Sequence, residues 1–297
     1  MRRLSRWRIM KQEPKIVRSE SEINYSYATI RLTQSRIDKG LIAVPVTLAK
    51  WFPDHNADIQ VYLNDSPISQ SKRYSSYNSS TGECRIGGVR KWFEENSLKN
   101  GDEIVIQFMD KERLLYRLIP EKRFIAATHK LQTALDRSAD ELKASETLTE
   151  LSRWTNLEKA RVVLNEYRRL VASSARLGRE SVGRKASRHR ESTPANLRTL
   201  LGHLYQGHCQ VCDFWFLKRN NEPYFEIHHL DAWGGHHPKN LVVLCGNCHN
   251  QFEYADVAPE YNGEQWLIRV YFNKTLHQVN QIVLTTKMPS FSKELFV

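Results

Sequence analysis

The 297-residue chain contains no run of eighteen apolar residues, so no segment can cross the roughly 30 Å hydrocarbon core of a bilayer as a helix. Its opening, Met1 to Arg8, is basic but leads into no apolar stretch, so the pattern of a secretory signal is missing and a cytoplasmic location is expected. Cysteine is scarce, with five residues in all. In a reducing compartment these stay thiols, which favours metal binding over disulfides. Acid is in deficit: 33 Asp and Glu face 44 Lys and Arg, a formal charge of +11. That excess points to a polyanionic partner, but charge alone does not separate DNA from RNA or an acidic membrane surface. Glycine and proline are missing altogether from residues 121–177, which marks that stretch as helical. A chain of this length can hold two domains and a connector.

Four of the five cysteines form two Cys-x-x-Cys pairs, Cys209/Cys212 and Cys245/Cys248, separated by 32 residues. Each pair can hold one metal from a tight turn, and two turns complete a tetrahedral four-sulfur zinc site. Cys84 is the odd one and is expected to be a small buried residue. A zinc ribbon would need nothing more. Between the pairs, however, lies Glu226-Ile227-His228-His229, followed by Asn240 and, directly after the last cysteine, His249.

Taken with Tyr205-Gln206-Gly207-His208-Cys209-Gln210-Val211-Cys212 and Leu244-Cys245-Gly246-Asn247-Cys248-His249, these residues resemble the HNH, or ββα-metal, nuclease family over about sixty residues. The resemblance implies that His229 is the general base and that His228 and His249 hold a catalytic divalent metal. It implies that Asn240 ties the loop to the motif's backbone. Glu253, one helical turn past His249, could help hold the metal, although many relatives carry His or Lys there. Phosphodiester hydrolysis needs such groups: an imidazole that titrates near neutrality can take a proton from water, and a divalent ion, expected to be Mg²⁺ or Mn²⁺, can stabilise the charge that develops at phosphorus. His236 and His237, in Gly234-Gly235-His236-His237-Pro238, are expected to be solvated loop residues.

Residues 25–120 read as short strands (27–32, 41–44, 59–63, 103–108 and 114–119) with short helices at 46–52 and 89–96. Leu32-Thr33-Gln34-Ser35-Arg36, Leu41-Ile42-Ala43-Val44-Pro45, Lys50-Trp51-Phe52-Pro53 and the run from Arg90-Lys91-Trp92-Phe93 to Gly101-Asp102-Glu103 resemble the plant B3 DNA-binding domain. The same pseudobarrel serves as the recognition domain of some bacterial restriction enzymes. The resemblance implies two arms gripping double-stranded DNA. One lies near Gln34, Ser35, Arg36 and Lys39; the other falls within residues 72–85 and offers Lys72, Arg73, Tyr74, Asn78 and Arg85.

The expected fold class is therefore α+β and multidomain. A basic arm (1–24) precedes a β-rich B3-like pseudobarrel (25–120), a helical connector (121–195), a zinc-stapled ββα-metal domain (196–257) and a C-terminal β extension (258–297). In the connector, Phe124, Ala127, Leu131, Leu135 and Leu142 recur at helical spacing, as do Leu148, Leu151, Trp154 and Leu157. They form packing faces or a dimer contact. The basic run at 176–198 is either a solvated linker or a phosphate track. Residues 265–272 and 281–285 are expected to form a last β-hairpin. These features point to a metal-dependent DNA endonuclease, most simply a restriction enzyme. The alternatives are a modification-dependent McrA-like nuclease, a homing or nicking HNH nuclease, and an inert zinc-containing DNA-binding regulator. A homodimer is the arrangement that would cut both strands.

Overall fold

The computed structural model describes residues 23–76, 78, 82–173, 181, 182, 189, 190 and 192–282. The basic arm up to residue 22, most of the basic run at 176–198, and residues 283–285 of the expected hairpin lie outside the described residues. The fold is mixed α+β, and the chain divides into two compact units at Thr128/His129.

The first unit is built on a seven-stranded, nearly closed, barrel-like sheet. Its elements are β1 (Ala28–Arg31), α1 (Gln34–Lys39), β2 (Leu41–Ala43), α2 (Val46–Ala49), β3 (Ala57–Leu63), β4 (Gln70–Ser75), β5 (Arg85–Gly87), α3 (Arg90–Glu95), β6 (Glu103–Asp110) and β7 (Leu115–Pro120). The strand order is β1-β6-β7-β3-β4-β5-β2. All neighbours are antiparallel except β3 and β7. Strands with one face inward alternate, as β3 does: Ile59, Val61 and Leu63 are buried, while their neighbours are half-buried or exposed. An aromatic stack anchors the interior, with Phe52 lying over Tyr116 at 4.5 Å and over Tyr74 at 5.0 Å between ring centroids. Each fully buried ring contributes about 1.5–3 kcal/mol relative to exposure. The turn from α1 into β2 depends on Gly40. Its φ of 64° is left-handed, and a Cβ there would meet the Arg90 Cβ at 2.7 Å.

β4 and β5 are strands where the sequence suggested an arm alone. The segment Gln-Ser-Lys-Arg-Tyr-Ser is too polar to read as a strand, yet it pairs with β3 along its length. Tyr74 is consequently not a DNA-facing residue. It is fully buried against Phe52, and its hydroxyl donates to the Cys84 sulfur at 3.1 Å. Cys84 is buried as expected.

In the second unit, the end of α4 (Glu121–Asp136) is followed by α5 (Glu141–Thr155), α6 (Lys159–Ser173), the two-residue strands β8 (Ser181–Val182) and β9 (His189–Arg190), and α7 (Ala195–Tyr205). The Asp140 side chain caps α5 by accepting from the Lys143 amide, and left-handed Asn156 ends the helix. Leu135, Leu148 and Leu151 are fully buried, so the expected stripe is largely consumed inside the chain. Leu142, by contrast, is 72% exposed. Arg169 bridges Asp136 at 2.7 Å and the buried Glu166 at 2.7 Å, tying α4 to α6.

The remaining elements are β10 (Glu226–His229), a 3₁₀ turn at Pro238–Asn240, β11 (Leu241–Leu244), α8 (Gly246–Tyr254), β12 (Val257–Tyr261), β13 (Leu267–Phe272) and β14 (Thr275–Gln278). Two cores hold them. One joins Tyr167 of α6, Leu197 and Leu201 of α7, Val243 of β11 and Trp266. The other joins Cys209, Cys245 and Cys248 to Val242, Leu244, Val270 and Phe272. The segment after α8 is thus built into the same core as the cysteine knuckles. Its hairpin differs from the expected one: β13 pairs with β14, through a two-residue turn in which Asn273 (φ 47°) and Lys274 (φ 73°) are both left-handed. That is the twist-matched hairpin geometry, reached without the usual glycine signal. Gln281, expected in the second strand, is instead buried and donates to the Leu267 carbonyl at 3.0 Å.

Candidate active site

Two donor clusters meet around the β10–β11–α8 element. The first is sulfur. The Cys209/Cys212 knuckle follows α7 through Gly207, whose φ of 78° and 2.4 Å approach to the Pro223 Cβ admit no side chain. Buried Gln210 fastens the knuckle to β11: its amide donates to the Val243 carbonyl at 2.9 Å, and its Oε1 accepts from the Val243 amide at 2.8 Å. The second knuckle is the N-terminus of α8, where the Cys245 sulfur accepts from the Cys248 amide. All four sulfurs lie within 4.8 Å of one another. The Cys212–Cys245 pair is 3.7 Å apart, matching the ~3.8 Å edge of a tetrahedron with Zn–S bonds of about 2.3 Å.

The thiols' electrostatics fit a cation. A hydrogen bond from Cys248 pulls the Cys209 thiol down to about 4. Burial pushes Cys212 up to about 11, and the adjoining Cys209 sulfur pushes Cys248 well above its ordinary range. Crowded thiols cannot all ionise without a positive charge among them. A divalent ion held by the four sulfurs would supply that charge.

The second cluster is His228, His249 and Glu253, whose donor atoms also lie within 4.8 Å of one another. Alternate residues on a strand share a face at about 6.6 Å spacing, and residues four apart on a helix rise about 6 Å. β10 and α8 therefore face each other in register. His228 Nδ1 lies 3.6 Å from Glu253 Oε1, and His249 Nδ1 lies 3.1 Å from Glu226 Oε2. Phe252 stacks on the His228 ring at 4.7 Å and holds its plane. Two imidazoles and a carboxylate on rigid elements form a donor set suited to a divalent transition metal or Mg²⁺.

His229 is the last residue of β10, and its Nε2 lies 3.0 Å from His236 Nδ1. The loop between the strands is pinned by Asn240. Its Oδ1 accepts from the Asp231 amide at 2.7 Å, and its Nδ2 donates to the carbonyls of Asp231 and Gly235, each at 3.0 Å. Gly234 leaves room for this clamp, since a Cβ there would sit 2.6 Å from Asn240 Nδ2. His236 and His237 are not solvated loop residues. His237 is buried and caps the 3₁₀ turn by accepting from the Lys239 amide at 3.1 Å. Sequence reasoning also passed over Glu226, Tyr224 and Phe252. The period-2 step from His228 and the helical step from His249 were the signals for Glu226 and Phe252. Nothing in the sequence marks the His229–His236 pairing.

The expected DNA-reading residues of the first unit fall into two groups. Gln34, Ser35 and Lys39 are exposed on α1, and Arg73 and Asn78 are exposed on and beyond β4. Arg36 and Arg85 are brought together by Glu83, which pairs with the Arg36 guanidinium and lies 3.6 Å from Arg85 Nε. Lys72 donates to the Gly88 carbonyl at 2.7 Å.

A β–β–α element bordered by a four-cysteine cluster and carrying a histidine-rich donor set defines a class of hairpin that could hold metal ions. The family model of the HNH endonucleases matches residues 209–253, the stretch that holds both clusters. Among solved structures, the chain matches an Arabidopsis FUS3–DNA complex at 13% identity, covering 32% of this chain and 94% of that one, with a TM-score of 0.27. It also matches an Arabidopsis thaliana transcription factor LEC2–DNA complex at 19% identity, covering 32% of this chain and 90% of that one, with a TM-score of 0.27. No curated protein matches the chain. Among the described residues, no helix is long and apolar enough to cross a membrane.

Proposed function

We propose that this protein is a metal-dependent DNA endonuclease of the restriction type, acting in the cytoplasm on double-stranded DNA. The observation that carries the reading is the joining, on one β–β–α element, of the His228/His249/Glu253 donor set to the four-cysteine cluster. Residues 25–120 recognise the target, 121–195 connect, and 196–257 cut, with the basic arm 1–24 and the extension 258–297 flanking them. Cys209, Cys212, Cys245 and Cys248 hold a structural zinc. His228, His249 and Glu253 hold Mg²⁺ or Mn²⁺, which would supply charge neutralisation at the scissile phosphate and its departing oxygen.

The chain's own groups do the rest. His229 accepts a proton from the attacking water, and its contact with His236, 3.0 Å from Nε2 to Nδ1, holds the ring at the end of β10. Asn240 holds the loop that carries His236 against the strand ends. Arg36, Lys39, Arg73 and Arg85, with Gln34, Ser35, Lys72 and Asn78, provide cationic and polar contacts to phosphates and base edges. One such site attacks one strand, so a two-fold homodimer is the form that cuts both.

The test is incubation of supercoiled plasmid and of methylated and unmethylated genomic DNA with added Mg²⁺ or Mn²⁺. Metal-dependent cutting is expected, and His229→Ala should lower its rate by about two to four orders of magnitude while DNA binding persists. Undiminished cutting by His229→Ala would place the base elsewhere. No cutting of any DNA with either metal would reject the enzyme.

A further inference from the structure

We propose that Glu226 is a positioning residue for the metal ligand His249, and that Tyr224 in turn fixes Glu226. Glu226 takes this role only if His228, His249 and Glu253 hold a divalent ion, as the nuclease reading above requires.

The geometry begins with register. Glu226 and His228 occupy the same face of β10, and β10 is locked to β11 by the pairs Glu226↔Leu244 and His228↔Val242. Opposite that face, His249 and Glu253 sit one turn apart on α8. The strand step and the helix step nearly coincide, so each strand residue meets one helix residue. Within the pair His228–Glu253 both members belong to the donor cluster. Within the pair Glu226–His249 only the histidine does.

Glu226 Oε2 sits 3.1 Å from His249 Nδ1. A carboxylate is acceptor-only when ionised, so this contact requires the proton to be on Nδ1. That tautomer leaves the Nε2 lone pair as the His249 ligand atom, and the Nδ1–H bond holds the ring against rotation. The other oxygen, Oε1, accepts from the Tyr224 hydroxyl, whose acidity that bond weakens. Tyr224 is itself held by stacking on Phe216 at 4.9 Å, and its amide donates to the Phe216 carbonyl at 3.0 Å. Space is set too: at Gly246 a Cβ would lie 3.3 Å from Oε1 and press on the carboxylate. Both carboxylate oxygens are thus engaged by the chain, leaving Glu226 as a brace for the ligand and not a ligand itself.

The experiment titrates Mn²⁺, followed by electron paramagnetic resonance, into the zinc-loaded full-length protein and its variants. His249→Ala is the control for loss of a ligand. Glu226→Ala is expected to weaken Mn²⁺ binding by about ten- to a hundredfold. Glu226→Gln, which keeps an acceptor oxygen, should lose distinctly less, and Tyr224→Phe only a few-fold. Plasmid cutting by Glu226→Ala should recover towards the wild-type rate as Mn²⁺ is raised, which a merely structural defect would not do. If Glu226→Ala itself loses zinc, the Gln and Phe variants decide the matter. Equal losses in Glu226→Gln and Glu226→Ala would make Glu226 a direct ligand and overturn the inference. Wild-type Mn²⁺ affinity in Glu226→Ala, alongside its loss in His249→Ala, would overturn it while leaving the nuclease reading intact. If the wild type binds no Mn²⁺ and cuts no DNA, both fall together.

Discussion

Removing zinc should unfold the second unit and leave the first standing. The cysteine sulfurs are part of the core there: Cys209, Cys245 and Cys248 pack with Val242, Leu244, Leu267, Val270, Phe272 and Val279. Structural zinc contributes about 10–16 kcal/mol of apparent binding free energy at neutral pH, whereas a domain's net stability is about 5–15 kcal/mol. Loss of the ion therefore exceeds what the unit has to spare. In the metal-free cluster Cys209 is already a thiolate at neutral pH, since its pKa is lowered to about 4. Cys212, raised to about 11, and Cys248, raised further, are protonated. Zinc must displace at least those two protons, so its affinity should climb with pH by about a hundredfold per unit between pH 6 and 8. The sign is fixed: below neutrality protons compete with zinc and stability is lost, while above it stability is gained. Calorimetry of the full chain should show two thermal transitions, of which chelator abolishes one. Zinc titration at several pH values should give a log-affinity slope of two or more. Freshly purified folded protein without zinc would refute the reasoning, as would a chelator that moves neither transition.

Other outcomes follow from single contacts. Tyr74→Ala should cost about 3–5 kcal/mol of first-unit stability, seen in denaturant melts, because the ring is core. Tyr74→Phe should leave target preference unchanged in a DNA-binding assay. Glu83→Gln should release Arg36 and Arg85, raising non-specific DNA affinity and steepening its salt dependence; an unchanged salt slope would mean that neither arginine reaches phosphate. Gly234→Ala should push the Asn240 side chain out of its loop clamp and slow plasmid cleavage by at least tenfold, with zinc content unchanged. Wild-type rates in that variant would show that the clamp does not matter to turnover.

Local chemistry made some of this protein legible from its residues alone. Two Cys-x-x-Cys pairs can close on one ion wherever the chain brings them together, so the sulfur cluster follows from spacing. β-branched or alternating runs announced β3, β6 and β7: β3 alternates because one face is buried, whereas β6 carries a continuous apolar run because Ile104, Val105 and Ile106 are all buried. Other features were decided by tertiary structure. β4 is polar on nearly every residue, and only pairing with β3 makes it a strand and draws Tyr74 into the core. The β13–β14 turn uses Asn-Lys in a geometry that propensity assigns to glycine. Glu226 meets His249, and His229 meets His236, because register between β10 and α8 and the Asn240 clamp set those distances across 23 and 7 residues of chain. Motif spacing marks which residues can do chemistry; packing decides which partners each of them meets.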